Sequence, residues 1–155
     1  METTNTIQPE PEEYVENALV GLIAAKVNGI PVEGTHDPAQ AGEAKYGEFT
    51  YINVKVGQSA QRLDVRGRSP IDFAIRITVH IARSEDPRGV TFRDTCRAVR
   101  AALASVTGDG CDGLNGEHVE LHAFVLDSTD PDFSTAIDGG EFIKTYNASA
   151  TARIY

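Results

Sequence analysis

The chain has 155 residues, 41% of them hydrophobic, with a formal net charge of −9. That length fits one domain with one core, and the acidic balance argues against nucleic acid as the main partner, because phosphate binding needs a basic field. No run approaches 18 uninterrupted apolar residues, so no membrane-spanning helix is expected.

The opening "METTNTIQPEPEEY" has neither a basic leader nor an apolar core segment, so a cytoplasmic product is expected. Residues 1–10 are polar and read as a loose tail, followed by one domain over 11–155. Pro11 opens a helix whose first turn carries Glu12 and Glu13, where the helix dipole favours acids. Val15, Ala18, Leu19, Leu22 and Ile23 form one apolar stripe. "NGIP" at 28–31 ends the helix: glycine suits the C-terminal cap and proline blocks continuation. Residues 31–48 show no periodicity and read as a long surface loop.

"FTYINVKV", 49–56, is β-branched and aromatic and reads as a strand. Residues 57–70 form an irregular arm carrying Arg62, Arg66 and Arg68. "IDFAIRITVHI", 71–81, alternates strictly. Ile71, Phe73, Ile75, Ile77, Val79 and Ile81 take one face, and Asp72, Ala74, Arg76, Thr78 and His80 take the other. One apolar and one polar face is the antiparallel pattern. "TFRDTCRAVRAALASV", 91–106, reads as a second helix. Thr91 with Asp94 resembles a capping box, and Phe92, Cys96, Val99, Leu103 and Val106 form the core stripe. "EHVELHAFVL", 117–126, alternates again. Val119, Leu121, Ala123 and Val125 are expected on one face, with His118, Glu120, His122 and Phe124 on the other. After an acidic loop at 127–140, "EFIKTYNASATARIY" reads as the final strand. Phe142, Tyr146, Ala148, Ala150, Ala152 and Ile154 share a face, with Lys144 among them. The sum is an α+β fold: an antiparallel sheet of about four main strands with two helices packed on one face.

"TGDGCDGLNGE", 107–117, is the stretch most suggestive of chemistry. A calcium loop needs oxygen ligands at positions 1, 3 and 5. Starting from Asp109, those places fall on Cys111 and Gly113; starting from Asp112, on Leu114 and Gly116. Neither register works, and the stretch reads as a helix cap and turn. Acidic surroundings raise a thiol pKa, so Cys111 is a poor nucleophile, and Cys96 occupies a core helical position. Two free thiols are expected rather than a disulfide. His118 and His122 stand about 13 Å apart on a strand, too far for one ion. His36 and His80 each stand alone. No G-x-S-x-G, phosphate-binding loop or dinucleotide motif is present. No catalytic residue, metal site or cofactor is assigned, and no enzymatic activity is expected.

The arginines are more informative. Arg93, Arg97 and Arg100 fall at i, i+4 and i+7, forming a basic stripe on an acidic protein. One reading is a solvated helix face. The other is docking, in which acidic loops of one subunit meet the basic stripe of the next, a head-to-tail contact that builds a ring.

The order of elements resembles the tail terminator and tail-completion proteins of long-tailed bacteriophages. The resembling parts are "EEYVENALVGLIAAKV", "IDFAIRITVHI", the "TFRDTCRAVRAALASV" helix ending in glycines, and the last strand after "DGGEFIKTY". They span most of 11–155, in pattern rather than in a diagnostic motif. The resemblance implies a structural virion protein forming a ring, usually hexameric. Such a ring caps the tail tube, ends its polymerisation and joins it to the head. The implied partners are further copies of the chain, the tail tube protein and head–tail connector proteins, with no membrane and no specific nucleic acid. The implied place is the virion tail, assembled in the bacterial host cytoplasm. Exposure patterns assign the subunit contact to Arg76, Thr78, His80, Glu120 and His122 together with Arg93, Arg97 and Arg100. The loops at 31–48 and 57–70, with Arg62, Arg66 and Arg68, would reach the tube or a neighbouring ring. A phage head-closure or neck connector protein and a small non-catalytic binding module are the alternatives.

Overall fold

Alternating side chains and β-branched residues produce strands here, and two amphipathic segments produce helices that cover one side of them. The computed structural model describes residues 11–27, 29–34, 50–61, 70–107, 119–129 and 140–154. The turn carrying Cys111 and His118, the arm carrying Arg62, Arg66 and Arg68, and the loop around His36 lie outside these. In chain order the elements are α1 (Pro11–Ala24), β1 (Val32–Gly34), β2 (Tyr51–Gln61), β3 (Ile71–Ala82), α2 (Val90–Ser105), β4 (Val119–Thr129) and β5 (Glu141–Ile154). The fold is α+β. The strands form one sheet in the order β1-β2-β3-β5-β4, antiparallel except for the β1–β2 pair.

The 31–48 stretch therefore holds more than a loop. Val32, Glu33 and Gly34 pair in parallel with Ile52, Asn53 and Val54. Three residues framed by proline and glycine carry no readable alternation, so only the pairing reveals this strand. Gly34 is required by what sits above it: a Cβ there would lie 2.7 Å from Cδ of Glu16. Glu16 is itself fully buried, so the inward face of α1 is wider than the apolar stripe suggests: Val15, Glu16, Leu19, Val20 and Ile23.

β3 is the strand the sequence describes. Its six alternate apolar residues are all buried. It pairs over twelve residues with β5, from Ile71 opposite Ala152 to Ala82 opposite Glu141. On the inward face of β5, Ala148, Ala150 and Ala152 lie opposite Ile75, Phe73 and Ile71 of β3. On the other side they meet Leu126, Phe124 and Leu121 of β4. Small residues between two rows of large ones leave room for interdigitation at close-packed density.

β4 departs from simple alternation. A bulge at His122 puts Leu121 opposite Ala152 and Ala123 opposite Thr151, so the strand gains a residue and its faces exchange. Phe124 turns into the core at 2% exposure, while Val125 turns out at 52%. The expected grouping of Val125 with Leu121 and of Phe124 with the polar residues is thus reversed beyond the bulge.

α2 also starts differently from the expected capping box. Its N-cap is Gly89, which is in the left-handed conformation and has no side chain to bond the helix. Buried Asp86 takes that role. Its carboxylate accepts the backbone N–H groups of Thr91 at 3.2 Å and Phe92 at 2.7 Å. Two otherwise unpaired helix donors are satisfied by a charged acceptor near the positive end of the helix dipole. The capping residue lies four positions before the first helical residue, outside the reach of the usual motif.

Two stability changes follow from these contacts. Asp86→Ala is expected to cost about 2 kcal/mol, at the upper end for a helix cap, read as a lowered urea midpoint with an unchanged slope. Ala150→Leu is expected to overpack the β3–β5–β4 row and to cost about 1–3 kcal/mol, measured the same way.

Candidate interaction surfaces

Because both helices lie on the inward face, the outward face of the sheet carries the polar half of each strand. Across it run the register rows Tyr51–His80–Ile143, Asn53–Thr78–Thr145 and Lys55–Arg76–Asn147. Tyr51 stacks on His80 with ring centroids 4.5 Å apart and an interplanar angle of 20°. His80 Nδ1 stands 3.8 Å from Glu141 Oε2, beyond hydrogen-bond distance, and this buried nitrogen has no hydrogen-bond partner among the described residues. Partial burial raises the Tyr51 phenol pKa, and the charges of Glu141 and Glu33 add to that. At the lower end, Thr151 donates its hydroxyl to Asp72 at 2.7 Å. Gly57 and Ala74 are small and exposed. Around them Lys55, Arg76 and Asn147 border a shallow depression of about 270 Å³.

Arg76, Thr78 and His80 all project from the outward side of β3, and Glu120 of β4 lies opposite Arg153 of β5. His122 is exposed at the bulge. The second group assigned to the same contact lies elsewhere. Arg93, Arg97 and Arg100 are exposed on α2, which packs against the inward face. The residues read from the sequence as one interface thus divide into two surfaces, on opposite sides of one sheet.

The arginine stripe borders a cleft of about 190 Å³ between α2 and β5, lined also by Phe92, Cys96, Lys144 and Tyr146. Phe92 stacks on Phe142 with centroids 5.3 Å apart, and the Lys144 ammonium sits 5.5 Å from the centre of the Tyr146 ring. The Tyr146 hydroxyl donates to the Cys96 carbonyl at 3.0 Å, joining strand to helix. Among the described residues Arg97 has one weak neighbour, Asp94 at 4.0 Å, with both side chains largely exposed. Arg93 and Arg100 make no ion pair among the described residues. The sequence reading placed Lys144 on the apolar face of the last strand. It missed that this position opens under the arginine stripe, since that depends on where α2 lies across β5.

Cys96 is buried and free, as its helical position implied. Burial raises its thiol pKa, against smaller lowering effects of the Tyr146 hydrogen bond and the Lys144 charge. Such a thiol is a weak nucleophile at neutral pH. Among the described residues no group of three or more His, Cys, Asp or Glu is placed to hold a metal ion, and no helix is long and apolar enough to cross a membrane.

Tyr146 gives this region a pH signature. Burial, then the adjacent Cys96, raises its phenol well above the ordinary value, with Arg100 acting weakly the other way. The folded state therefore holds a proton that the unfolded state releases near pH 10. Its stabilising share is complete below pH 10 and is lost as pH rises beyond it, by up to about 1.4 kcal/mol per pH unit. Tyr146→Phe is expected to cost about 1 kcal/mol at pH 7 through the lost hydrogen bond, and to flatten the fall in stability above pH 10. Urea midpoints measured across pH 7–11 would check both effects.

Set beside known proteins, the chain matches no family model and no curated protein. A solved structure aligns over 92% of this chain and 92% of its own, at 13% identity and a TM-score of 0.45, a likeness too slight to carry a functional argument.

Proposed function

We propose that this chain is a structural subunit of a ring at the head-proximal end of a phage tail tube. There it ends tube polymerisation and offers a surface for the head. The reading rests on the resemblance of its element order to tail terminators. The observation that supports it best is the presence of two chemically different exposed surfaces on opposite sides of one sheet. A head-to-tail contact needs such a pair, one surface of a subunit meeting another surface of the next, and a closing rotation turns that contact into a ring. The outward sheet face, with Arg76, Thr78, His80 and Glu120, supplies one surface. The stripe of Arg93, Arg97 and Arg100 lies on the side that supplies the other. The partners in this reading are further copies of the chain, the tube protein and the connector proteins of the head. Catalysis has no part in it.

Light scattering after size exclusion tests the proposal. The expected mass is near six times the 16.7 kDa subunit, or rises towards it with concentration. Ala74→Arg, placed in the depression of the outward face, is expected to lower the assembled fraction while changing stability by less than about 0.5 kcal/mol, as at other surface sites. A strict monomer at high concentration, or assembly indifferent to Ala74→Arg and to Arg97→Glu alike, would contradict the assignment of these surfaces.

A further inference from the structure

We infer that one end of the outward sheet face, where Glu33 and Glu141 flank the stacked Tyr51–His80 pair, is the docking place for the arginine row of α2 of a second copy. The identity of the partner rests on the ring reading, which this contact deepens by naming the two patches that meet. The outward face changes character along its strands. At one end Glu33 of β1 points away from the side on which Val32 and Gly34 are buried. Glu141 of β5 comes within 3.8 Å of His80. The Tyr51 and His80 rings stack beside it, 4.5 Å apart. Beyond the effect of burial, the charges of Glu141 and Glu33 both act on the Tyr51 phenol, so the two carboxylates surround one spot. Four residues along β2 and β3 the same face carries Lys55 opposite Arg76.

Charge selects the occupant. With 23 acidic against 14 basic residues, copies of this chain repel one another at long range, so a contact between them needs local complementarity. Arg93, Arg97 and Arg100 supply it from one exposed row of α2, with Asp94 offsetting part of the Arg97 charge from 4.0 Å. The row projects from the helix, the Arg97 side chain being 75% exposed, and so can settle on a flat sheet face. An arginine suits the acidic end in two ways. Its guanidinium pairs with carboxylates, and its apolar stem lies along aromatic rings. A bare metal ion does not suit it, because no group of three or more His, Cys, Asp or Glu among the described residues is placed to hold one. The Glu141 side chain is only 25% exposed, and a partly buried charge is screened less than an open one. Lys55 and Arg76 lie about 13 Å further along the strands, beyond a Debye length of about 8 Å at physiological salt. They leave the attraction at the acidic end intact and oppose docking of the same row at their own end.

The test uses the full chain in two charge-reversed variants, one with Arg93→Glu and Arg100→Glu, the other with Glu33→Lys and Glu141→Lys. Circular dichroism and thermal midpoints establish that each is folded. In sedimentation velocity the wild type is expected to assemble, and each variant alone to need a concentration higher by about tenfold or more, because like charges then face each other. An equimolar mixture is expected to assemble as the wild type does, with the two variants in equal number, since every reversed patch then meets one of opposite sign. Glu33→Gln with Glu141→Gln removes the charges and keeps the shape. It is expected to weaken association by about threefold, and it carries the test if the lysine variant does not fold. Assembly of any of these variants as in the wild type would overturn the inference, and so would a mixture of folded variants that associates no better than its components. A ring that persists in both reversed variants removes this pairing and leaves the ring reading standing. Charge-dependent assembly that closes at two chains removes the ring and keeps the pairing. A wild type that stays monomeric at every concentration removes both.

Discussion

The twelve-residue register between β3 and β5 is the constraint on which the rest of this structure depends. Side chains in a strand alternate with a period of two, so a slip by one residue would move every apolar side chain to the solvent face. Here the register places Ile71, Phe73, Ile75, Ile77, Val79 and Ile81 on the same side as Ala152, Ala150, Ala148 and Tyr146. Both helices then pack on that side, and the opposite side is left polar. The existence of two distinct surfaces, and their separation by the thickness of a sheet and a helix layer, are consequences of this one pairing.

The same register explains the irregular neighbour. β5 offers a row of alanines to β4, and a large residue must fill the space over Ala150. Strict alternation from Leu121 would have put Ala123 there and left a void. The bulge at His122 instead brings Phe124 opposite Ala150, where it is buried. A local break in the ladder is offset by filled volume, since unfilled core space costs stability in proportion to its size. The exposed position of His122 and the outward turn of Val125 follow from that exchange.

On the inward side, α2 is held in place by polar contacts as well as by its apolar stripe. Asp86 anchors its first turn, and the Tyr146 hydroxyl reaches the carbonyl of Cys96 in its middle. With Phe92, Val99 and Leu103 turned inward, Arg93, Arg97 and Arg100 have to face outward. Where that row lies relative to Lys144 is set by the anchors. The cationic rim over an aromatic floor is thus a tertiary feature, assembled from a helix that contributes charge and a strand that contributes a ring.

Much of this was legible in the residues alone. The helical stripe from Val15 to Ile23, the second helix read at 91–106, the strict alternation of 71–81 and the apolar face of the final strand depend on local periodicity, which a strand or helix imposes whatever it packs against. They determined the α+β class, the outward placement of Arg76, Thr78 and His80 on β3, and the exposure of the arginine stripe. Four features were decided only by the tertiary structure. Val32–Gly34 became a strand because β2 offered an edge to pair with, and Glu16 became buried because Gly34 left room for it. Phe124 turned inward because Ala150 required a large neighbour. The outward face of β3 and the arginines of α2 came to lie on opposite sides because helix α2 covers the sheet's inward face. Period and propensity act within a few residues along the chain. Pairing partners, bulges and the relative placement of two faces depend on residues tens of positions away, and only packing brings those together.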